Sequence, residues 1–478
     1  MDDELTRRTA FRVSFVAAYA AMVLGGVALF LLIRTYGETL AAPAPPLPAA
    51  AIGAVVSPVP NAVLHVLLAL VAVIVLGRLL GAALQSVGQP PVVGEVLAGI
   101  VLGPSLLGRI APEASAYVLP PSVAPFLNVV AQLGIILYMF LVGLELNADL
   151  VRSRAHATVA TSHASIVVPF VLGSALALFL YPRLSTSDVP FTSFALFMGI
   201  AMSITAFPVL ARILTDRGIS KTELGAVALT CAAADDVTAW CLLALVVGVT
   251  QARIEDAIVV SVLTLGYIAI MFLAVRPTVV RVISRFDGRR PTGHVIALVG
   301  VLLSALATEW IGVHAVFGAF LFGAVIPHNS AVARTLTDRL EDVVTILLLP
   351  AFFAFTGMRT EIGLISGSQW LLCGLVILVA TAGKFGGTFV AARLTGMDWR
   401  GAAGLGVLMN TRGLMELIVL NIGLDLRVIS PVLFTMMVLM ALATTVATTP
   451  ALQLLGVDHA RMFLRYNSAA VSRSASKW

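Results

Sequence analysis

A chain of 478 residues that is 59% hydrophobic and 12% charged, with a mean hydropathy of +1.01, cannot cover itself with a water-facing shell, because a soluble domain is roughly 25% charged. A bilayer is the solvent that fits this composition. The net charge of +5 comes mainly from arginines in short gaps between apolar runs, which reads as a topology signal and excludes a nucleic-acid footprint.

Apolar runs near the ~20 residues that a spanning helix needs predict fourteen crossings. They fall near 12–34, 61–80, 91–107, 126–146, 156–181, 191–214, 223–249, 255–284, 292–308, 311–327, 341–358, 368–395, 400–423 and 430–455. Arg7, Arg8 and Arg12 precede the first run as in a signal peptide, but its apolar stretch from Phe15 to Ile33 is too long for one. Residues 1–60 therefore read as an extra transmembrane helix followed by a Pro- and Ala-rich linker. Residues 61–455 read as the membrane domain, with about 13 helices, and 456–478 as a short cytoplasmic tail. The spans 292–308 and 311–327 are separated only by Glu309 and Trp310.

With a cytoplasmic N-terminus, 22 Lys and Arg residues fall at inside ends and 6 at outside ends, and Lys384 and Arg412 lie within helices, which accounts for all 30. That asymmetry predicts a multi-pass plasma-membrane protein with both termini in the cytoplasm. Cys231, Cys241 and Cys373 all lie in apolar runs and suggest neither a disulfide framework nor a metal cluster. No phosphate loop, no dinucleotide fingerprint and no nucleophile–base cluster is legible. The expectation is a protein that is not an enzyme, has no cofactor and does not use nucleotide hydrolysis.

The informative residues are charges placed where charge is expensive, at about 2.5–3.5 kcal/mol each on insertion scales. Asp235 and Asp236 sit halfway along one span and project about 100° apart, so they need not share a partner. Burial and a like-charged neighbour both disfavour the ionised form of a carboxylate. Such a group can hold a proton or a cation, but not both, which is the requirement for antiport. Lys384 lies ~16 Å of helix from the inner end, between Gly383 and Gly386, and is expected to pair with Asp235 and leave Asp236 for the ion. Arg412 and Glu416, four apart on one helix face, read as an ion pair that compensates charge. Glu95, near a helix end, is open between a structural role and the ion path. His65, His163, His294 and His314 read as packing residues.

Two spans carry breaks. Residues 203–208 (SITAFP) put Pro208 in mid-span, freeing backbone carbonyls, and 409–413 (MNTRG) is a polar interruption in the second half. Paired broken helices point to a midplane ion site, to which Ser203 and Thr205 can add hydroxyl oxygens for the transported Na+ or K+.

These residues carry a resemblance. Residues 89–104 (QPPVVGEVLAGIVLGP), 140–145 (FLVGLE), 203–212 (SITAFPVLAR), 234–240 (ADDVTAW), 314–320 (HAVFGAF) and 409–423 (MNTRGLMELIVLNIG) resemble the monovalent cation/proton antiporter superfamily. The matching branch holds plant cation/proton exchangers and bacterial potassium-efflux antiporters. The resemblance implies an all-α polytopic, inverted-repeat, sodium/proton-antiporter-like fold with two crossed, broken helices. It also implies elevator-like alternating access and a homodimer, and places the essential ion-binding Asp at Asp236. The preceding position is Asn or Gln in many relatives. Here it is Asp235, which together with Lys384 resembles the electrogenic sodium/proton type. The reading is exchange of Na+ or K+ for protons across the bilayer. The alternative is a proton-coupled exporter of an organic or ionophore-type substrate on the same fold.

Overall fold

The computed structural model describes residues 2–45, 62–145, 155–220, 222–251, 254–286, 290–327 and 330–456. Most of the expected linker at 41–60 and all but the first residue of the expected tail at 456–478 lie outside the described residues. No strand occurs among the described residues. Among the described residues twelve helices are long and apolar enough to cross a membrane, and a pair bent by 43° makes a thirteenth.

In chain order the principal helical segments, some of which join into one span, are α1 (Asp2–Gly37), α2 (Ala62–Ser86), α3 (Pro91–Leu102), α4 (Ala124–Glu145), α5 (Ala155–Leu184), α6 (Phe191–Ser203), α7 (Phe207–Asp216) and α8 (Glu223–Gln251). The next is α9 (Ile254–Ile270), which runs through a π-helical turn, Met271–Val275, into α10 (Arg276–Phe286). There follow α11 (Arg290–Ile311), α12 (Ala315–Val325) and α13 (Ala331–Val343), which continues through the π-helical turn Val344–Leu348 into α14 (Leu349–Arg359). The last four are α15 (Gln369–Leu394), α16 (Trp399–Met409), α17 (Leu414–Asp425) and α18 (Pro431–Leu455). Large apolar side chains such as Leu79, Leu273, Leu306 and Leu371 face outward, as a lipid-facing surface requires.

The expected span at 311–327 is shorter than a crossing. Gly312 takes a left-handed φ of 92°, and the helix that follows is capped at its first turn by Glu309, whose Oε2 accepts from Ala315 N at 2.9 Å. It stops before Pro327, so α12 has 11 residues, about 16 Å of helix against a hydrocarbon core of about 30 Å. The span expected at 341 begins ten residues earlier, because Ser330 caps α13 through Ala333 N at 3.1 Å.

The helices pack in two groups. α2, α3, α4, α11, α12 and α14 contact one another, while α5, α6, α8, α15, α16 and α18 form a second group around α5. α1 lies against α5 and α6, with Phe30 on Phe170 at 5.6 Å between ring centroids and Tyr19 edge-on to His163 at 5.3 Å. Close approach within the second group depends on two glycines of α15. A Cβ on Gly383 would lie 2.9 Å from Pro169 Cα, and one on Gly387 2.8 Å from Val168 Cβ. Small residues at this four-residue spacing let membrane helices approach until backbones touch, and they carry Lys384 into the centre of the group.

Candidate ion-binding site

The two interrupted spans meet at their breaks. α6 ends at Ser203 and α7 starts at Phe207; α16 ends at Met409 and α17 starts at Leu414. Ala206 N donates to Thr411 O at 3.0 Å, which ties one extended segment to the other. Thr205 Oγ1 also lies 3.1 Å from Met409 O.

Ending a helix in a dry interior strands its last carbonyls. Here buried cations take three in succession. Arg412 donates from Nη1 to Ala201 O at 2.8 Å and from Nη2 to Met202 O at 2.7 Å, and Lys384 Nζ donates to Ser203 O. Lys384 also takes Ser165 O at 2.9 Å, the carbonyl left without its helical donor because residue 169, four positions on, is a proline. Each cation thus carries an anion's charge partner and a set of backbone oxygens, which is what makes a fully buried charge tolerable.

Lys384 Nζ lies 2.9 Å from Asp235 Oδ2, and both side chains have 0% exposure. Asp235 also accepts from Ser162 at 2.7 Å, Ser165 at 2.6 Å and Thr205 at 3.1 Å. Its oxygens are fully engaged. Asp236, the next residue on α8, is 3% exposed, and its Oδ2 has no hydrogen-bond partner. Arg412 Nη1 pairs with Glu416 Oε2 at 2.9 Å, again with 0% exposure on both sides. Thr445 of α18 accepts from Arg412 N at 3.0 Å, which braces the second break.

Of the residues expected here, Asp235, Thr205, Lys384, Arg412 and Glu416 converge at the crossing of the breaks, and Asp236 is buried next to Asp235 on α8. Ser203 differs in the atom it offers. Its hydroxyl lies 2.7 Å from Gly199 O and 3.0 Å from Ile166 O, within its own helix and the neighbouring one, and its carbonyl is what enters the site. The sequence reading passed over Ser162, Ser165 and Pro169. Their signal was present as a polar pair three apart on one face of α5, followed by a proline four residues after Ser165. Glu95 stands apart, lining a cavity of about 470 Å³ with Arg78, Tyr138, Arg212 and Glu341. Pro208, Val209 and Leu414, at the starts of α7 and α17, also line it. Among the described residues no cluster of three His, Cys, Asp or Glu side chains is arranged for a metal ion.

Residues 66–455 match the family described as "Sodium/hydrogen exchanger, transmembrane". The chain belongs to this exchanger family. It is 44% identical over 396 residues to the Na+/H+ antiporter NhaS4 of Synechocystis, covering 82% of this chain and 97% of the relative. It is 40% identical to cation/H+ antiporter 20 of Arabidopsis thaliana (79% of this chain, 47% of the relative) and 34% identical to K+/H+ antiporter 1 of Saccharomyces cerevisiae (78% and 44%). The chain spans about half the length of these plant and yeast relatives. Its fold matches the sodium proton antiporter MjNhaP1 of Methanocaldococcus jannaschii with a TM-score of 0.60 at 15% identity, over 82% of this chain and 100% of that one. The chain is therefore a multi-pass membrane protein with the sodium/proton-antiporter fold, all-helical among the described residues, and both breaks lie within its family-matched region.

Proposed function

We propose that this chain exchanges a monovalent cation, Na+ or K+, for protons, with Asp236 as the group that binds each in turn. One observation carries the reading. Asp236 is almost fully buried, next in the chain to a neutralised neighbour that is bonded to Thr205 of the first break, and one of its oxygens is left without a partner. Among the described residues the buried charged side chains are Asp235, Asp236, Glu416, Lys384 and Arg412. In their ionised forms three acids face two bases, so the site carries one excess negative charge. A single proton or a single monovalent cation neutralises it, and a dry interior favours that neutral state. Both cannot occupy it together, and this exclusion couples the two flows.

The 470 Å³ cavity lies on the side of Arg78 and Arg212, assigned to the cytoplasm by charge. At the opposite ends of the helices, Arg359 of α14 bonds Asn421 Oδ1 at 3.0 Å and pairs with Asp425, both on α17. In this reading the contact, which joins α14 to the second broken helix, latches the outer side. Asp425→Asn is expected to loosen that closure and raise the labelling of an outer-side cysteine placed at Ser105 by a membrane-impermeant reagent. Unchanged labelling would remove the contact from the gating scheme.

The main test is exchange by purified protein in liposomes, resolved by cation and pH. For one cation competing with one proton, the apparent KM for the cation rises as pH falls, approaching about tenfold per pH unit once the proton dominates occupancy. A cation KM independent of pH would overturn the shared-site mechanism. Proton movement that responds to neither Na+ nor K+ would favour the organic-substrate exporter instead.

A further inference from the structure

We infer that Asn410 is the second cation ligand of the site, its carboxamide oxygen facing the transported ion together with Asp236; this rests on the exchange reading above and deepens it. Asn410 is the C-cap of α16, the first residue after its end at Met409. It is 7% exposed, and its Oδ1 is a buried acceptor without a hydrogen-bond partner. Native interiors leave few such atoms.

Among the described residues, buried side-chain atoms in this condition also occur at Gln89, Asn128 and Ser185, and within the Arg412–Glu416 pair. Asp236 Oδ2 and Asn410 Oδ1 are distinguished by position. Asp236 follows Asp235 and Asn410 follows Met409, and the hydroxyl of Thr205 lies 3.1 Å from both Asp235 Oδ2 and Met409 O. The two idle oxygens thus belong to the residues next in the chain to the two partners of one bridging hydroxyl, one on the carboxylate helix and the other at the second break. Helix capping does not account for Asn410. Its backbone N–H already bonds Gly406 O at 3.2 Å, and an amide capping a helix C-terminus presents its NH2 group to the free carbonyls, which leaves the oxygen unexplained.

A dehydrated monovalent cation needs several oxygens to replace its water. Asp236 supplies the charge, and Asn410 supplies a neutral dipole that a proton on Asp236 does not require. Removing Asn410 should therefore weaken cation binding and spare proton binding.

The test uses the full chain in liposomes, with Na+ and K+ assayed separately. Asn410→Ala is expected to raise the cation KM about tenfold or more, equivalent to about 1.4 kcal/mol, with the maximal rate within about twofold of wild type. Asn410→Ser, which keeps an oxygen at shorter reach, should fall between the two and alter the Na+/K+ ratio of KM values. An unchanged KM in Asn410→Ala, or a loss of maximal rate in both variants at constant KM, would overturn the assignment and leave Asn410 a structural residue of the break. Should the Ala variant misfold, the Ser variant and calorimetric titration of NaCl and KCl into purified protein carry the test, with weaker binding expected and wild-type binding refuting it. Wild-type protein that exchanges neither ion would overturn the exchange reading itself, and this inference with it.

Discussion

Asp236→Asn is expected to abolish cation-dependent proton movement in liposomes while the protein still inserts and folds. The substitution keeps the shape of the side chain and removes the one charge that the buried bases leave uncompensated. An amide neither accepts a proton near neutral pH nor offers full charge to a cation, so both halves of the exchange fail together. The variant adds an NH2 donor beside Asp235, whose own partners are Lys384, Ser162, Ser165 and Thr205, so the Lys384 pair stays intact. The expected loss is to background, below about 1% of the wild-type rate, comparable to removing about 2.7 kcal/mol or more of binding to the transported ion. Retained pH-dependent Na+ or K+ flux in Asp236→Asn would move the transport role to another carboxylate. Glu416 is the first to examine, since its Oε1 is also unpartnered.

The second large effect concerns the Lys384–Asp235 pair. Breaking a buried ion pair from one side typically costs about 3–5 kcal/mol, because the remaining charge stays buried and uncompensated. Lys384→Met should reach the upper part of that range. It leaves the Asp235 carboxylate without its counter-charge and at the same time releases the carbonyls of Ser165 and Ser203. Asp235→Asn should cost less, since Lys384 keeps both carbonyls and the serine hydroxyls can still bond the amide. Removing both charges together should recover part of the loss. The measurement is the thermal midpoint of the purified proteins, expected in the order wild type, double variant, Lys384→Met. A Lys384→Met variant as stable as wild type would mean that water reaches the pair, and the dry-site argument would fail. In transport, a second proton carried by the Lys384–Asp235 pair would make the exchange electrogenic, and Asp235→Asn is then expected to reduce the charge moved per cycle and spare some exchange. Equal charge movement would separate the pair from the electrogenic step.

Composition and pattern by themselves determined the solvent, most of the spans, the two interruptions and the identity of the charged residues. Each follows from a local cost that a bilayer enforces: a charge in hydrocarbon, a proline in mid-helix or a short apolar run is legible wherever it occurs. The boundary errors had equally local causes that hydropathy does not weigh. Gly312 and Pro327 cut α12 to 11 residues, and Ser330 started α13 early.

Only the tertiary structure decided which atoms serve the site. Ser162, Ser165 and Pro169 matter because α15 brings Lys384 against α5 through Gly383 and Gly387, and nothing in the sequence of α5 announces that neighbour. Ser203 contributes its carbonyl, since the hydroxyl finds acceptors within helix packing first. Asp235 and Asp236 are adjacent acids of identical chemistry along the chain. The fold separates them by placing Lys384 and three hydroxyls on one and leaving an oxygen of the other unpaired. A hydrogen bond depends on distances of about 3 Å, and a hydropathy pattern sets positions only to within a helical turn.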